Sequence, residues 1–342
     1  MLVLALACSP ALAQQNIPSN VKTAADAEPY RKQIATVIAN RLIKLKSDDP
    51  ADSRKWFGDQ VAKSATTTAS FLDVYAEEVN KAIQNALHPI PAPPTPPPFQ
   101  VRLNLAIINA AIAQHDTNAR LVASTADFLA DPSGMVVLWG MKAAKYELAG
   151  NLKQQKAFRK ADLIKAILDA VRAHPDSGPI ADEAYEALTF YVADSALTAT
   201  DAAAIKEVIP AIFDLMNFRL SLFAAAPPPA LFGDGKAVGF LARTKVWDVE
   251  TPAQQAKALD VYCKFLEADA KLVLVVEDHA ELLESMHQIG RAMLVIGAVK
   301  ANPALDTAAT QLSGISAEST QENIDQRVKA MRDAVDQVYP AH

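Results

Sequence analysis

Cysteine is nearly absent from this chain: Cys8 and Cys263 are the only two among 342 residues. Removal of the first dozen residues would leave Cys263 alone and exclude an intramolecular disulfide. Glycine is also scarce, at eleven residues. Alternating Val/Ile/Thr runs are few, so little room is left for β-sheet. Lys and Arg form no cluster, and the formal charge is −6. A nucleic-acid surface needs concentrated cations to displace counterions, so no nucleic-acid partner is expected. No uncharged apolar run reaches the roughly 18–20 residues that cross a bilayer, so no transmembrane segment is expected either. Catalytic motifs are missing as well. There is no Gly-x-Ser-x-Gly and no His-Glu-x-x-His. Cys263 has no identifiable His partner in sequence. No catalytic residue, cofactor or metal site is expected.

What the chain does have is apolar mass on helical spacing. Half of its residues are apolar (51%), and alanine, the best helix former, is conspicuously frequent. The expected fold is all-α: stacked antiparallel helix pairs, as an α-solenoid or an irregular helical array.

Leu2 to Ala7 are continuously apolar, and Ala11-Leu12-Ala13 before Gln14 fits the small-x-small rule for signal peptidase. Residues 1–13 are therefore read as a signal peptide and 14–25 as a flexible leader. The short apolar stretch without a basic flank points to a start codon upstream of Met1. Export to the periplasm or exterior follows. An alternative is lipidation of Cys8, which follows Ala5-Leu6-Ala7, making an envelope-anchored structural protein.

A helical pair is expected over 26–88, with one helix at 28–46 and a long one at 51–87. Thr66-Thr67-Thr68 would kink or split the second. The prolines of 89–98 read as a stiff linker that separates this pair from the main body. Helices then follow at about 100–114, 118–130, 134–149, 156–173, 178–194 and 200–224. Residues 225–249, with Pro227-Pro-Pro229 and three glycines, break the pattern and read as a loop insertion or hinge. The C-terminal part, 250–342, resumes with helices at about 251–275, 276–300, 303–313 and 319–338. In the last of these Ile324, Val328, Met331 and Val335 form a single seam, as suits a terminal cap.

The region 99–224 contains a loose self-similarity of about 43 residues. One unit runs through Asp131-Pro132-Ser133-Gly134 into a helix with Val137 and Ala143. The next runs through His174-Pro175-Asp176-Ser177-Gly178 into Ile180, Ala181 and Ala184. Together with Val101-Arg102-Leu103-Asn104 opening the first helix, residues 101–194 resemble HEAT (armadillo-type) repeats. The second unit departs from that pattern: His-Pro-Asp replaces Asp-Pro, and no Val-Arg opener precedes it. The resemblance implies a curved helical stack that binds proteins and performs no reaction. A non-catalytic interaction protein with a protein partner is the expected function.

Three local features compete with that reading. Glu284-x-x-His287, with His279 nearby, has the carboxylate–imidazole spacing of di-iron bundles. A helical enzyme or metal-binding bundle built on His279, Glu284 and His287 is the alternative function. Against it, no second Glu-x-x-His occurs, and Glu277, Glu281, Glu284, Gln288 and Arg291 fall on one solvated stripe beside a core stripe of Leu282, Met286, Ile289 and Met293. Gly233-Asp-Gly235-Lys236 has the Gly-Lys of a phosphate loop but not its spacing, and reads as a turn. Trp139 and Cys263, both in apolar helical segments, read as core.

Overall fold

The structure, a computed structural model, describes residues 16–46, 50–62, 67–90, 95–154, 157–192, 199–223, 232–273, 275–276 and 279–338. Among these residues the secondary structure is helical throughout, with no strand. No described helix is long and apolar enough to cross a membrane. The chain forms two compact units, Met1–Gly150 and Asn151–His342.

The first unit contains α1 (Ser19–Lys22), α2 (Arg31–Ile43), α3 (Pro50–Val61), α4 (Ala69–Leu87), α5 (Phe99–Ala113), α6 (Val122–Leu129) and the start of α7 (Gly134–Lys153). The expected long helix is two helices. Thr68, with an extended backbone, caps α4 by accepting from the Phe71 N–H at 3.3 Å. Its hydroxyl also donates to the Ala24 carbonyl at 2.8 Å, which ties the leader to this unit. The leader expected to be flexible therefore contributes Ile17 and Val21 to the core.

The proline-rich stretch does not separate two bodies. One hydrophobic cluster runs from Ile34, Phe57, Phe71 and Tyr75 on its N-terminal side to Leu105, Ile108 and Phe128 on the other. Helix α5 packs against α3, α4 and α6, as its wide apolar arc requires. A buried Asn109–Ser124–Thr125 network joins α5 to α6. Asn109 Nδ2 donates to Thr125 Oγ1 at 2.9 Å, and Ser124 Oγ donates to Asn109 Oδ1 at 2.7 Å. Arg102 Nε donates to Asp131 Oδ2 at 2.7 Å, linking the start of α5 to the turn before α7. Trp139 is partly buried against the core, with the Lys142 ammonium 4.7 Å from its ring centroid.

The second unit contains α8 (Ala157–Ala173), α9 (Gly178–Thr189), α10 (Ala199–Leu222), α11 (Phe232–Leu241), α12 (Thr244–Trp247), α13 (Pro252–Leu272), α14 (Ala280–Lys300), α15 (Pro303–Leu312) and α16 (Gln321–Val338). The region expected as a loop insertion is helical over α11 and α12, with turns at 242–243 and 248–249; residues 225–231 lie outside the described residues. Ala237, Val238, Leu241, Val246 and Trp247 are all buried. These short helices are core, which a solvent-facing loop cannot be.

Helix α13 opens with a capping box. The Thr251 hydroxyl accepts from the Gln254 N–H, and the Gln254 side chain accepts from the Thr251 N–H. Helix α14 ends on Ala301, whose φ of 49° lets the Asn302 N–H reach the Gly297 carbonyl at 3.0 Å. Asn302 then caps α15. Gly290 and Gly297 lie on the face of α14 against α15, and a Cβ at Gly297 would overlap Asp306 Oδ1. Along α16 the buried residues Ile324, Val328, Met331 and Val335 form the expected seam, packed on α13 and α15.

Candidate functional site

The Gly233-Asp-Gly235-Lys236 segment is the first turn of α11 and not an isolated turn. Asp234 is buried there. It accepts from Arg219 Nη2 on α10 at 3.1 Å and from the Tyr185 hydroxyl on α9 at 2.6 Å. Burial raises the Asp234 pKa, and the bonds from Arg219 and Tyr185 oppose the rise. The flanking glycines set how closely the neighbours approach. A Cβ at Gly233 would come within 2.5 Å of Asp182 Oδ1 and 2.6 Å of Tyr185 Cδ2. One at Gly235 would overlap the Gln288 side chain on α14. Helix α11 thus enters a tight slot between α9 and α14: a side chain at Gly233 would press on the Tyr185 ring and the Asp182 backbone, and one at Gly235 would displace the end of the Gln288 side chain.

One turn later the slot opens. A Cβ at Gly239 would meet nothing within 4 Å. A groove of about 780 Å³ begins here. Its α11 wall is Gly235, Lys236, Gly239, Phe240 and, just past the helix, Ala242 and Arg243. The α14 wall is Gln288, Arg291, Ala292 and Val295, and α9 with its following turn adds Glu186, Thr189 and Phe190. The two longer walls are stripes at i, i+3/i+4 and i+7.

The lining carries three cations and one carboxylate. Lys236 Nζ is 3.1 Å from Glu186 Oε1, and Arg291 Nη2 is 2.6 Å from Glu284 Oε1. These pairs are largely exposed, and such pairs contribute little in water. The Arg243 guanidinium lies 5.8 Å from the Phe240 ring centroid. Val295 is 41% exposed, an uncommon state for a large apolar side chain on this surface. The lining groups suit recognition: cations, one amide, one hydroxyl and apolar walls, with no paired nucleophile and base among them.

Elsewhere the unit buries acids. Asp269 is fully buried on α13, and burial raises its pKa well above the carboxylate range against the opposing pull of the Ser285 hydroxyl. Glu250, 5% exposed, is pushed up to about 8 by burial. Neither oxygen of Glu250 has a hydrogen-bond partner within the protein. With its pKa near 8, the Glu250 carboxyl is mostly neutral at pH 7.

The residues singled out in sequence fall elsewhere. His287 Nε2 is 2.8 Å from the Ile315 carbonyl, so it donates to the backbone. Glu284 accepts from Gln288 and Arg291, and these bonds hold its pKa below the usual range. His279 precedes α14, eight residues and about 12 Å of helix axis from His287. Among the described residues no group of three or more His, Cys, Asp or Glu is placed to hold a metal ion. Cys263 is buried, and burial pushes its thiol up to about 12, away from the range of a reactive thiolate. Cys8 and the signal-peptide segment lie outside the described residues.

Of the groove residues, sequence patterning marks Gln288 and Arg291 as a solvated stripe and Lys236 as part of a turn. It places Gly239 in the 225–249 segment, which it reads as a loop insertion open to binding, and it does not single out Arg243. The available signal is Gly235-x-x-x-Gly239, two glycines one helical turn apart in an apolar segment. No protein-family model matches the chain, and no curated protein matches it in sequence.

Proposed function

We propose that this is an exported, non-catalytic helical-repeat protein whose work is to hold a partner protein, with the α9–α11–α14 groove as its binding site. The observation that carries the reading is Gly239. Glycine in a helix interior costs about 0.5–1 kcal/mol relative to alanine. At Gly235 a side chain would have to displace Gln288, but at Gly239 the space is open. Its effect is to keep the groove floor free of side chains. Export is supported by the Leu2–Ala13 pattern. The HEAT-like reading of 101–194 is supported by the Arg102–Asp131 pair, which joins two of the segments that carry the resemblance.

The test is affinity capture of the mature chain from an envelope extract of its source cells, beside a Gly239→Trp variant that fills the groove. One reproducible protein partner, retained by the parent chain and lost with Gly239→Trp, is expected. Capture that ignores the substitution, or a stoichiometric metal and no protein, would overturn the proposal.

A further inference from the structure

The groove's form and charge define what fits it. Among the described residues there is no strand, so no sheet edge can accept an extended peptide. Of the two aromatic residues in the lining, Phe240 is only 3% exposed and Phe190 is half-buried, so the groove lacks the row of open aromatic faces on which a polyproline segment stacks. What the groove does present is two stripes at helical spacing, 236–243 and 288–295, each eight residues or about 10 Å from first to last. The stripes themselves carry small and apolar residues: Gly239, Ala292 and Val295. Two such stripes side by side form the kind of ridged surface on which helices pack. The rim is cationic on a chain of net charge −6: Lys236, Arg243 and Arg291 against Glu186. Two of these cations are bridged to exposed carboxylates of the same unit, which a partner's carboxylates can replace at little cost.

From this placement, and resting on the binding role above, we propose that the groove takes an amphipathic α-helix of a partner protein. Its apolar residues at i, i+4 and i+7 lie over Gly239 and Val295, and Glu or Asp on its flanks pair with Lys236, Arg243 and Arg291. The helix ridge enters at Gly239, where the α11 wall has no side chain to displace and open space beside it. The flanking carboxylates fix its register and exclude basic helices, since like charges at a rim are repulsive.

The experiment pans a display library of helix-forming peptides on the full-length chain, with counter-selection on Gly239→Trp. The charge and apolar spacing of the enriched sequences are then read. A synthetic copy of the most enriched peptide is titrated by fluorescence anisotropy against the parent chain, Gly239→Trp and the exposed-site variant Arg291→Glu. Thermal melts verify that each variant is folded. Expected are net-negative peptides with the i, i+4, i+7 pattern, and binding at least ten-fold weaker in both variants. No enrichment, enrichment of basic or uncharged peptides, or equal binding by Gly239→Trp would overturn the inference. If whole-partner capture still depends on Gly239 while no acidic helix is selected, the groove remains the binding site and only its occupant is misassigned. If both ignore Gly239, both proposals fall.

Discussion

Replacing Glu250 by Gln should remove most of one pH-dependent loss of stability. Glu250 lies between α12 and α13, 5% exposed, with neither carboxyl oxygen hydrogen-bonded within the protein. Burial raises its pKa from the ordinary 4.5 to about 8. In the unfolded chain the proton leaves near 4.5, whereas the folded chain keeps it until about pH 8. Between those values the folded state binds more protons, so stability falls as pH rises. The contribution is fully favourable below the unfolded pKa, declines from there to about pH 8, and is flat above. At about 1.4 kcal/mol per pH unit the total loss is of order 5 kcal/mol, with about 3 kcal/mol of it reached by pH 7. The amide of the Glu250→Gln variant imitates the protonated acid at every pH. Urea unfolding of parent and Glu250→Gln at pH 5, 6, 7 and 8, followed by far-UV circular dichroism, measures the difference. The variant should gain on the parent by a few kcal/mol across this range, above any constant packing offset. Parallel stability curves, with no gain on going from pH 5 to 8, would refute the reasoning.

Other perturbations follow from the same packing. Gly58→Ala and Gly239→Ala should each stabilise by about 0.5–1 kcal/mol in chemical denaturation, because an added Cβ meets nothing at either position; destabilisation at either would mean the site is tighter than described. Asp234→Ala leaves the buried Arg219 guanidinium without its carboxylate and should cost about 3–5 kcal/mol. The double change Arg219→Met with Asp234→Leu should recover much of that loss. Ala301→Gly should raise stability by about 0.5–1 kcal/mol, since φ of 49° is costly for any residue with a Cβ. A neutral result there would show that local contacts of the alanine offset its strain.

The all-α fold was legible because helical periodicity is a local property. The α16 seam, the break at the threonine run and the wide apolar arc of α5 all follow from residues within one or two turns of each other. The proline-rich stretch misled because proline reports that a helix stops, not that a core stops. The hydrophobic cluster passes from Phe71 and Tyr75 to Leu105 and Phe128 regardless. The 225–249 segment misled for a related reason. Glycine and proline together read as loop, yet Gly233 and Gly235 are there because α9 and α14 press against α11. That demand comes from helices remote in sequence and leaves no local mark. The groove was invisible on the same account, its walls being drawn from three separate helices. The Glu284–His287 pair shows the converse: a metal-like spacing is satisfied by ordinary hydrogen bonds to Arg291 and the Ile315 carbonyl.

The central claim is that this chain binds a partner through the α11–α14 groove. Backbone hydrogen exchange of the full chain, alone and saturated with the captured partner, tests it most directly. The account predicts new protection concentrated in 236–243 and 288–295, and none of it in a Gly239→Trp chain. Protection confined to other helices, or unchanged by filling the groove, would contradict it.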